Sequence, residues 1–400
     1  MNDEFDFVET ARKCAGSVVR LAQDLVRLPS RGGIDDYGPV LDRVESWLRE
    51  RDLPHRRLHG ADAGPVGLLV EIEGGRPGPW WTLDACLDTA PFGDEDAWSF
   101  PPTAGDVVDG WLRGRGAADS KLAASVFCHI AEDVHQDAAR LAGGLSVLLD
   151  VDEHTGQFGG ARAFLEDVRA RRPSGVMIGY PGFDDVVVGG RGLWRAVVTV
   201  HAPSGHSGSS KSVVSAVSRA ARLVQLLDTM ELPGADEGFP LPAKLSVTSI
   251  NGGSGWSVTP DRVDLNIDIR LTPALDGPAA AGLVQDVVAR LDAELPPPRP
   301  TEVAEVACWP PFRLAPEQEP AAAMLRAADI LEIRLTAKTA GPSNIGNLLA
   351  GHGVATIAGF GTPYVGLHGT DERAQLAQLP LVHALYHRTI RDLLSDLPPA

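Results

Sequence analysis

The chain has 400 residues, more than one hydrophobic core usually supports, so we expect two domains. Its 44% hydrophobic and 22% charged residues are typical of a globular protein. A formal net charge of -17 argues against a nucleic-acid-binding surface, because phosphate contacts need concentrated Lys and Arg. The sequence has no apolar run as long as a membrane span, no signal-peptide pattern in its first ten residues and no paired spacing among its four cysteines. We therefore expect a cytoplasmic protein with reduced thiols and no membrane partner.

The first half of the chain alternates between helical and strand patterns. Apolar residues recur at helical spacing in four segments, and short apolar runs between turn residues predict four strands. The predicted helices are 11–28, 37–51, 119–134 and 159–170, and the predicted strands are 66–72, 80–87, 144–151 and 175–178. Strands that alternate with helices indicate an α/β unit with a largely parallel sheet.

The pattern changes after residue 190. Strands at 193–201, 243–250 and 262–271, with helices at 213–227 and 279–291, predict the β-α-β-β-α order of a small ferredoxin-like domain. Helical patterns at 321–331 and 381–394 then indicate that the chain returns to the α/β domain. We expect a discontinuous α/β domain, 1–190 and 306–400, interrupted by an α+β domain at 191–305.

Polar side chains follow two of the predicted strands of the α/β domain. Asp88 comes directly after strand 80–87, and Glu153 and His154 come shortly after strand 144–151. Open α/β sheets bind ligands at the carboxyl ends of their strands, and carboxylate with imidazole suits metal binding and general-base chemistry. Asp119 in the Gly-rich loop 114–121 and His368 in the loop 364–372 offer further groups. By itself Asp119 could be only a helix cap.

The order of these segments resembles the zinc-dependent aminoacylase, acetylornithine deacetylase, succinyl-diaminopimelate desuccinylase and carboxypeptidase G family. The similar motifs are the strand end through Asp88 to Pro91, the Gly-Arg-Gly-Ala-Ala-Asp-Ser-Lys loop, the pair at 153–154 before a Gly-rich turn, and His368 with Glu372 four residues later. The resemblance covers nearly the whole chain. It implies a zinc-peptidase-like α/β catalytic domain with a ferredoxin-like lid, through which such proteins form homodimers.

Four positions keep the residue that the family has. The resemblance implies that Asp88 orients a metal ligand, that Asp119 is the carboxylate shared by two metals and precedes a cis peptide bond, that Glu153 is the general base, and that His368 is a ligand.

Three positions at which the family binds metal carry a different residue. Cys86 replaces a His, His154 replaces a Glu, and Tyr180 replaces an acidic residue before a Pro. One implied metal set becomes Cys86, Asp119 and Tyr180, which suits zinc badly because the tyrosine phenol titrates near 10. The other set becomes Asp119, His154 and His368, an acceptable mononuclear site. We therefore expect one zinc ion per chain, with a metal-free protein as the alternative.

The lid and the adjoining loop supply further residues by resemblance. His206 is expected to stabilise the developing oxyanion, from its own or a partner subunit, and Arg270 to bind a substrate carboxylate unless it forms only a surface ion pair. Ser257 stands where the family has an Asn that contacts substrate, and it is expected to bind substrate in its place. Asn344 belongs to a loop that is expected to line the substrate pocket, and Tyr180 is also expected to contact the substrate.

The favoured function is metal-dependent hydrolysis of an N-acyl amino acid or small peptide-like amide. In this hypothesis the metal polarises the amide carbonyl and Glu153 accepts a proton. A second hypothesis is metal-independent amide-bond formation or acyl transfer in biosynthesis, with Glu153, His154 and Cys86 as acid, base or nucleophile and Cys86 near His154. Alternatively, Cys86 only fills the space of the lost His. A third hypothesis is a non-catalytic ligand-binding protein.

Overall fold

A computed structural model describes residues 6–61, 63–210 and 213–395, and it divides into two compact units. Within the described residues, the large unit comprises 6–188, 314–338 and 344–395, and the inserted unit comprises 189–313 and 339–343. The fold is therefore an α/β domain interrupted by a smaller α+β domain, which confirms the predicted fold class.

The large unit contains the following elements. Its helices are α1 (Phe7–Val26), α2 (Gly38–Arg49), α3 (Leu122–Gln136), α4 (Gly159–Glu166), α7 (Ala321–Ile330), α8 (Ile345–Gly351) and α9 (Leu379–Leu393). Its strands are β1 (His55–His59), β2 (Pro65–Glu73), β3 (Arg76–Cys86), β4 (Val107–Val108), β5 (Trp111–Arg113), β6 (Ala142–Asp150), β7 (Gly175–Ile178), β17 (Ala355–Ala358), β18 (Tyr364–Val365) and β19 (Arg373–Gln375), with β8 (Asp185–Gly190) and β16 (Thr336–Ala340) crossing between the units.

The main sheet has parallel strands at its centre and antiparallel strands on both sides. Its order is β1-β2-β6-β3-β7-β17-β8-β15, where β15 is Phe312–Arg313, and β16 also pairs with β8. Strand β3 pairs in parallel with β6 and β7, and β7 pairs in parallel with β17. Every residue of β6 and β7 is buried, as expected for strands covered on both faces. The carboxyl ends of β6, β3 and β7 consequently meet at one edge.

Helix α3 begins later than the sequence predicts. The helical pattern indicated a start at Asp119, but Asp119 and Ser120 have non-helical dihedral angles, and the peptide bond between them is cis, as the resemblance implied. The regular helix begins at Leu122. Asp119 therefore lies in an irregular turn in front of the helix, where its carboxylate is not used as a cap.

The inserted unit is a ferredoxin-like domain. Its elements are β9 (Gly192–His201), β10 (Gly205–His206), α5 (Ala216–Asp228), β11 (Lys244–Gly252), β12 (Val258–Thr259), β13 (Arg262–Leu271), α6 (Gly277–Glu294) and β14 (Glu302–Trp309), followed by β15. The antiparallel sheet has the order β11-β13-β9-β14. Alternate residues of β9 and β13 pack with α5 and α6 in a separate hydrophobic core. The unit runs on to Arg313, beyond the expected boundary at 305/306, because β14 pairs with β9.

Among the described residues, no helix is long and apolar enough to span a membrane.

A candidate metal centre at the carboxyl ends of the parallel strands

Seven of the predicted site residues converge in the large unit at the edge where β3, β6 and β7 end. Cys86 is the last residue of β3 and lies opposite Asp150 of β6, so the chain that leaves β6 brings Glu153 and His154 beside it. Asp84 of β3 lies opposite Ile178, the last residue of β7, which places Tyr180 on the other side. Three neighbouring strand ends thus deliver polar side chains to one place.

Asp119 and His368 reach the same place from two loops. The Asp119 side chain is 7% exposed, and its Oδ2 atom lies 2.9 Å from His368 Nε2. His368 has a left-handed backbone with φ of 57°, which turns its ring into the centre although the side chain remains 56% exposed. Burial alone raises the pKa of Asp119, but His154 and His368 outweigh it and hold the pKa well below its usual range.

His154 lies between two carboxylates. Its Nε2 atom is 3.6 Å from Asp119 Oδ2, and its Nδ1 atom is 3.4 Å from Asp88 Oδ2. Asp88 also accepts hydrogen bonds from the backbone N–H groups of Glu153 and His154, at 3.2 and 3.0 Å. Burial lowers the pKa of His154, but Asp119 and Asp88 outweigh it and raise the pKa above its usual range. Asp88, which the resemblance assigned to the residue at 86, here faces the imidazole at 154.

Glu153 contacts both Tyr180 and His154. Its Oε1 atom accepts a 2.6 Å hydrogen bond from the Tyr180 hydroxyl, and its Oε2 atom lies 3.5 Å from His154 Nδ1. Burial raises the pKa of Glu153 to about 7, although the neighbouring His154 opposes the shift. Tyr180 therefore acts as a donor to Glu153, and burial raises the pKa of its phenol further.

Cys86 is 2% exposed and is not part of a disulfide. Its Sγ atom lies 3.3 Å from Ser120 Oγ and 4.0 Å from Asp119 Oδ1. Burial raises the pKa of Cys86 well above its usual value, which opposes formation of the thiolate that a nucleophile or a zinc ligand requires.

Two further carboxyl groups, which the sequence analysis did not identify, lie near the carboxyl ends of β3 and β6. Asp84 and Asp150 are both 0% exposed, and none of their oxygens has a hydrogen-bond partner among the residues that the structure describes. Burial raises both pKa values well above the usual range, followed for Asp84 by the charge of Glu153 and for Asp150 by that of Asp84. The neutral forms are therefore favoured.

Glu372 and Arg115 connect the loops that carry His368 and Asp119. Glu372 Oε2 accepts a 2.6 Å hydrogen bond from Arg115, and both side chains are almost fully buried. Glu372 Oε1 accepts from the backbone N–H groups of Gly116 and Ala118, each at 3.0 Å. Arg115 belongs to the Gly-rich loop 114–121 and Glu372 to the loop 364–372, both of which resemble family motifs. The position of Glu372 four residues after His368 was the feature of the sequence that could have indicated its role. Their positioning role becomes visible only when the loops meet in space.

Asp119, His154 and His368 are arranged in a way that fits a metal ion. Ligand atoms of Asp119, His154 and His368 all lie within 4.8 Å of one another, and both ring nitrogens of buried His154 lack a hydrogen-bond partner among the described residues. Two imidazoles and a carboxylate are a suitable donor set for zinc. The second family set fits less well, because the Tyr180 hydroxyl donates to Glu153 and burial raises the pKa of the Cys86 thiol.

A third combination of ligand atoms also lies within 4.8 Å, formed by Cys86, Glu153 and His154. It would need the Cys86 thiolate, which burial disfavours, and it would occupy the carboxylate of Glu153. The set formed by Asp119, His154 and His368 requires no Cys86 thiolate and leaves the Glu153 carboxylate available as a base.

Arg270 lies in the inserted unit and lines a cavity of about 690 Å³ formed by residues of that unit. Asp268 fixes its Nε atom at 2.8 Å, and Ser343 Oγ accepts a hydrogen bond from Nη1 at 3.3 Å. The ion pair expected as the alternative is therefore present, yet Arg270 still lines a cavity together with Arg191, Arg195 and Lys244.

His206 and Ser257 lie next to each other in the inserted unit. His206 of β10 pairs with Val258 of β12, and the Ser207 N–H donates to the Ser257 carbonyl at 3.0 Å. The His206 side chain is exposed, and its Nδ1 atom accepts a hydrogen bond from the Gly208 N–H. Its expected role in oxyanion binding stays a prediction.

Asn344 has a structural task in the large unit. It is the N-cap of α8, where its Oδ1 atom accepts from the Gly346 N–H at 2.8 Å and its own N–H donates to Asn347 Oδ1 at 2.9 Å. The neighbouring Gly341 and Pro342, rather than Asn344, line the cavity of the inserted unit. A substrate contact of Asn344 remains a prediction.

The amino-acid sequence of the chain is similar to those of known enzymes. The family model described as Peptidase family M20/M25/M40 matches residues 83–392. Succinyl-diaminopimelate desuccinylase of Parvibaculum lavamentivorans is 26% identical over 384 residues, covering 93% of this chain and 94% of the relative. The enzyme of the same name from Cereibacter sphaeroides is 28% identical over 386 residues, with 94% and 98% covered. These matches confirm the resemblance and the prediction of an amide-hydrolase scaffold.

Solved structures show the same fold. A tripeptidase from Staphylococcus aureus superposes with a TM-score of 0.76 at 18% identity, covering 95% of this chain and 98% of that one. A dinuclear metal-binding peptidase of the M20 family from Bacillus subtilis has a TM-score of 0.72 at 15% identity, with 96% and 100% covered.

Proposed function

The chain belongs to Peptidase family M20/M25/M40, and from this premise we propose that it hydrolyses an N-acyl amino acid or a small peptide-like amide with one zinc ion. The observation that carries the proposal is the convergence of Asp119, His154 and His368 beside Glu153. An ion held by these three residues would supply Lewis-acid polarisation of the scissile carbonyl.

Glu153 is the proposed general base. It is the carboxylate next to the ligand set, and burial raises its pKa to about 7, within the range in which a group can both accept and release a proton near neutral pH. The Tyr180 hydrogen bond holds one carboxylate oxygen and leaves the other near His154. The Asp88 carboxylate accepts hydrogen bonds from the backbone N–H groups of Glu153 and His154, and it faces His154 Nδ1. A carboxylate commonly takes this position behind a metal-bound His.

The substrate is proposed to carry a carboxylate. Arg270 is held by Asp268 in a cavity that also contains Arg191, Arg195 and Lys244, so basic side chains outnumber acidic ones there. Guanidinium groups bind carboxylates with paired hydrogen bonds. His206 is proposed to stabilise the developing oxyanion, and the inserted unit is proposed to form the homodimer interface; both proposals rest on the family resemblance.

The test is a hydrolysis assay on a panel of N-acyl amino acids and dipeptides, N-succinyl-diaminopimelate included because the relatives are named for it. Wild type is expected to release free amine, detected by mass spectrometry. Glu153→Gln is expected to lose turnover by at least about a hundredfold while it keeps its metal. Glu166→Gln, a change outside the centre on α4, is the matched control and should retain activity. A fully active Glu153→Gln variant contradicts the proposed mechanism.

The two other hypotheses are separated by the same samples. Acyl transfer through Cys86 predicts that Cys86→Ala is inactive, whereas the raised pKa of the buried thiol leads us to expect an active variant. A binding protein predicts saturable ligand association with no product from any substrate in the panel.

A further inference from the structure

A second group of metal-ligand side chains lies away from the centre, where helices α1, α3 and α9 of the large unit pack together. Asp133 of α3 and His383 and His387 of α9 each place one ligand atom within 4.8 Å of the other two. The spacing His-x-x-x-His puts both imidazoles on one face of α9, because residues four apart on a helix are neighbours. Nothing in the proposed hydrolysis uses these three residues.

Both imidazoles are buried, His383 at 1% and His387 at 0% exposure. Burial favours the neutral imidazole, which keeps a lone pair for a metal ion. The Asp133 carboxylate, 29% exposed, lies with Oδ2 at 3.8 Å from His387 Nδ1, too far for a hydrogen bond but close to the separation of two ligands around one ion.

The surroundings of His383 orient its ring. Its Nδ1 atom lies 3.5 Å from Cys14 Sγ on α1, whereas its Nε2 atom has no hydrogen-bond partner among the residues that the structure describes. A buried ring nitrogen without a partner is costly unless an ion or a water molecule satisfies it. Cys14 supplies the contact on the other side of the ring, which is the arrangement that fixes a ligand His.

We propose that Asp133, His383 and His387 form a second site for a divalent transition metal ion such as zinc, and that the ion ties α3 to α9. The donor set, two imidazoles and one carboxylate, is one that zinc accepts. An ion here would lie between helices rather than in a substrate cavity, so its role would be structural.

Arg391 opposes the ion and provides a sharp test. Its Nε atom donates to His387 Nε2 at 3.2 Å, and its Nη2 atom donates to Asp137 Oδ2 at 2.9 Å. Metal binding at His387 Nδ1 places the ring proton on Nε2, where it would meet the guanidinium N–H. The ion therefore binds only if the guanidinium withdraws from His387 towards Asp137. Removing the guanidinium should consequently strengthen binding.

The experiment uses the full chain with the centre disabled by Asp119→Asn and His368→Asn, so that its result does not depend on the proposed function. The chelated protein is dialysed against Co²⁺, and bound metal and the visible d–d absorption are measured. We expect about one ion per chain, a loss of affinity of roughly tenfold or more with His387→Gln or His383→Gln added, and tighter binding with Arg391→Gln. His135→Gln, an exposed His of α3, is the matched control and should change nothing.

Two results would overturn the proposal. One is a centre-disabled protein that binds no Co²⁺ while its circular dichroism matches that of wild type. The other is binding that stays unchanged when both His383 and His387 are replaced. The centre-disabled protein leaves the three helices unaltered, so its result decides the question even if a His variant fails to fold.

Discussion

Replacing Glu372 by Gln tests whether one buried ion pair holds the two loops of the centre together. The Arg115 and Glu372 side chains are 2% and 0% exposed, and their atoms are 2.6 Å apart. Glu372→Gln keeps the shape but leaves a buried guanidinium without its counter-charge. Breaking a buried pair in this way costs about 3 to 5 kcal/mol, and the lower end applies here because the amide oxygen can still accept from the loop N–H groups.

A loss of about 3 kcal/mol should lower Tm by roughly 5 to 10 °C for a domain of this size, measured by circular dichroism. Metal affinity should fall as well, because Glu372 also accepts from the Asp119 N–H at 3.3 Å. The matched control is Asp24→Asn, which removes the partner of Arg43 in a pair that is 31% and 39% exposed and should have a much smaller effect. If the Glu372→Gln protein is as stable as the control, the Arg115–Glu372 pair does not hold the two loops together.

Three further predictions concern single side chains. Tyr180→Phe removes the hydrogen bond to Glu153 and should lower kcat by about tenfold with unchanged metal content; an unaltered kcat would show that the hydroxyl is not used. Burial lowers the pKa of His129 in the folded protein to about 4, whereas its value in the unfolded chain is near 6.5. Between these two pH values the unfolded state binds more protons than the folded state. The free energy of unfolding should therefore be highest above pH 6.5 and decrease as the pH falls towards 4. Urea unfolding between pH 7 and 4 should therefore show a smaller pH dependence for His129→Gln than for wild type, and equal slopes would contradict this. Asn344→Ala should cost about 1 kcal/mol of stability through the lost cap, and a large loss of kcat/KM at unchanged stability would instead indicate a substrate contact.

The order of elements could be predicted from the sequence because most helices and strands have strong apolar periodicity. Strand β7 was predicted with the bounds that the structure has, and β13 likewise. Strand β14 was missed because Glu302 and Glu305 lie three residues apart, which breaks the alternation expected of a strand, and because Glu302–Trp309 follows a Pro-rich segment; its pairing with β9 is a tertiary contact. The start of α3 was misplaced because the irregular backbone at Asp119 leaves no trace in hydrophobic spacing.

The membership of the candidate site followed from motifs, but its internal contacts did not. The sequence could place Asp88 near a metal ligand, whereas only the structure shows that it faces His154 rather than Cys86. It could also mark Tyr180 as a poor ligand, yet the hydrogen bond to Glu153 depends on where β7 ends relative to β6. Such contacts depend on side-chain positions across three strand ends, which local patterns do not encode.

The central claim is that the centre holds one ion on Asp119, His154 and His368. Anomalous diffraction at the zinc edge, from crystals of the protein grown with zinc, tests it most directly. We expect a single peak at the centre, within about 2.0 to 2.2 Å of ligand atoms of all three residues, and no peak beside Cys86 and Tyr180. Two peaks about 3.5 to 4 Å apart and bridged by Asp119, or no peak at these residues, would contradict it.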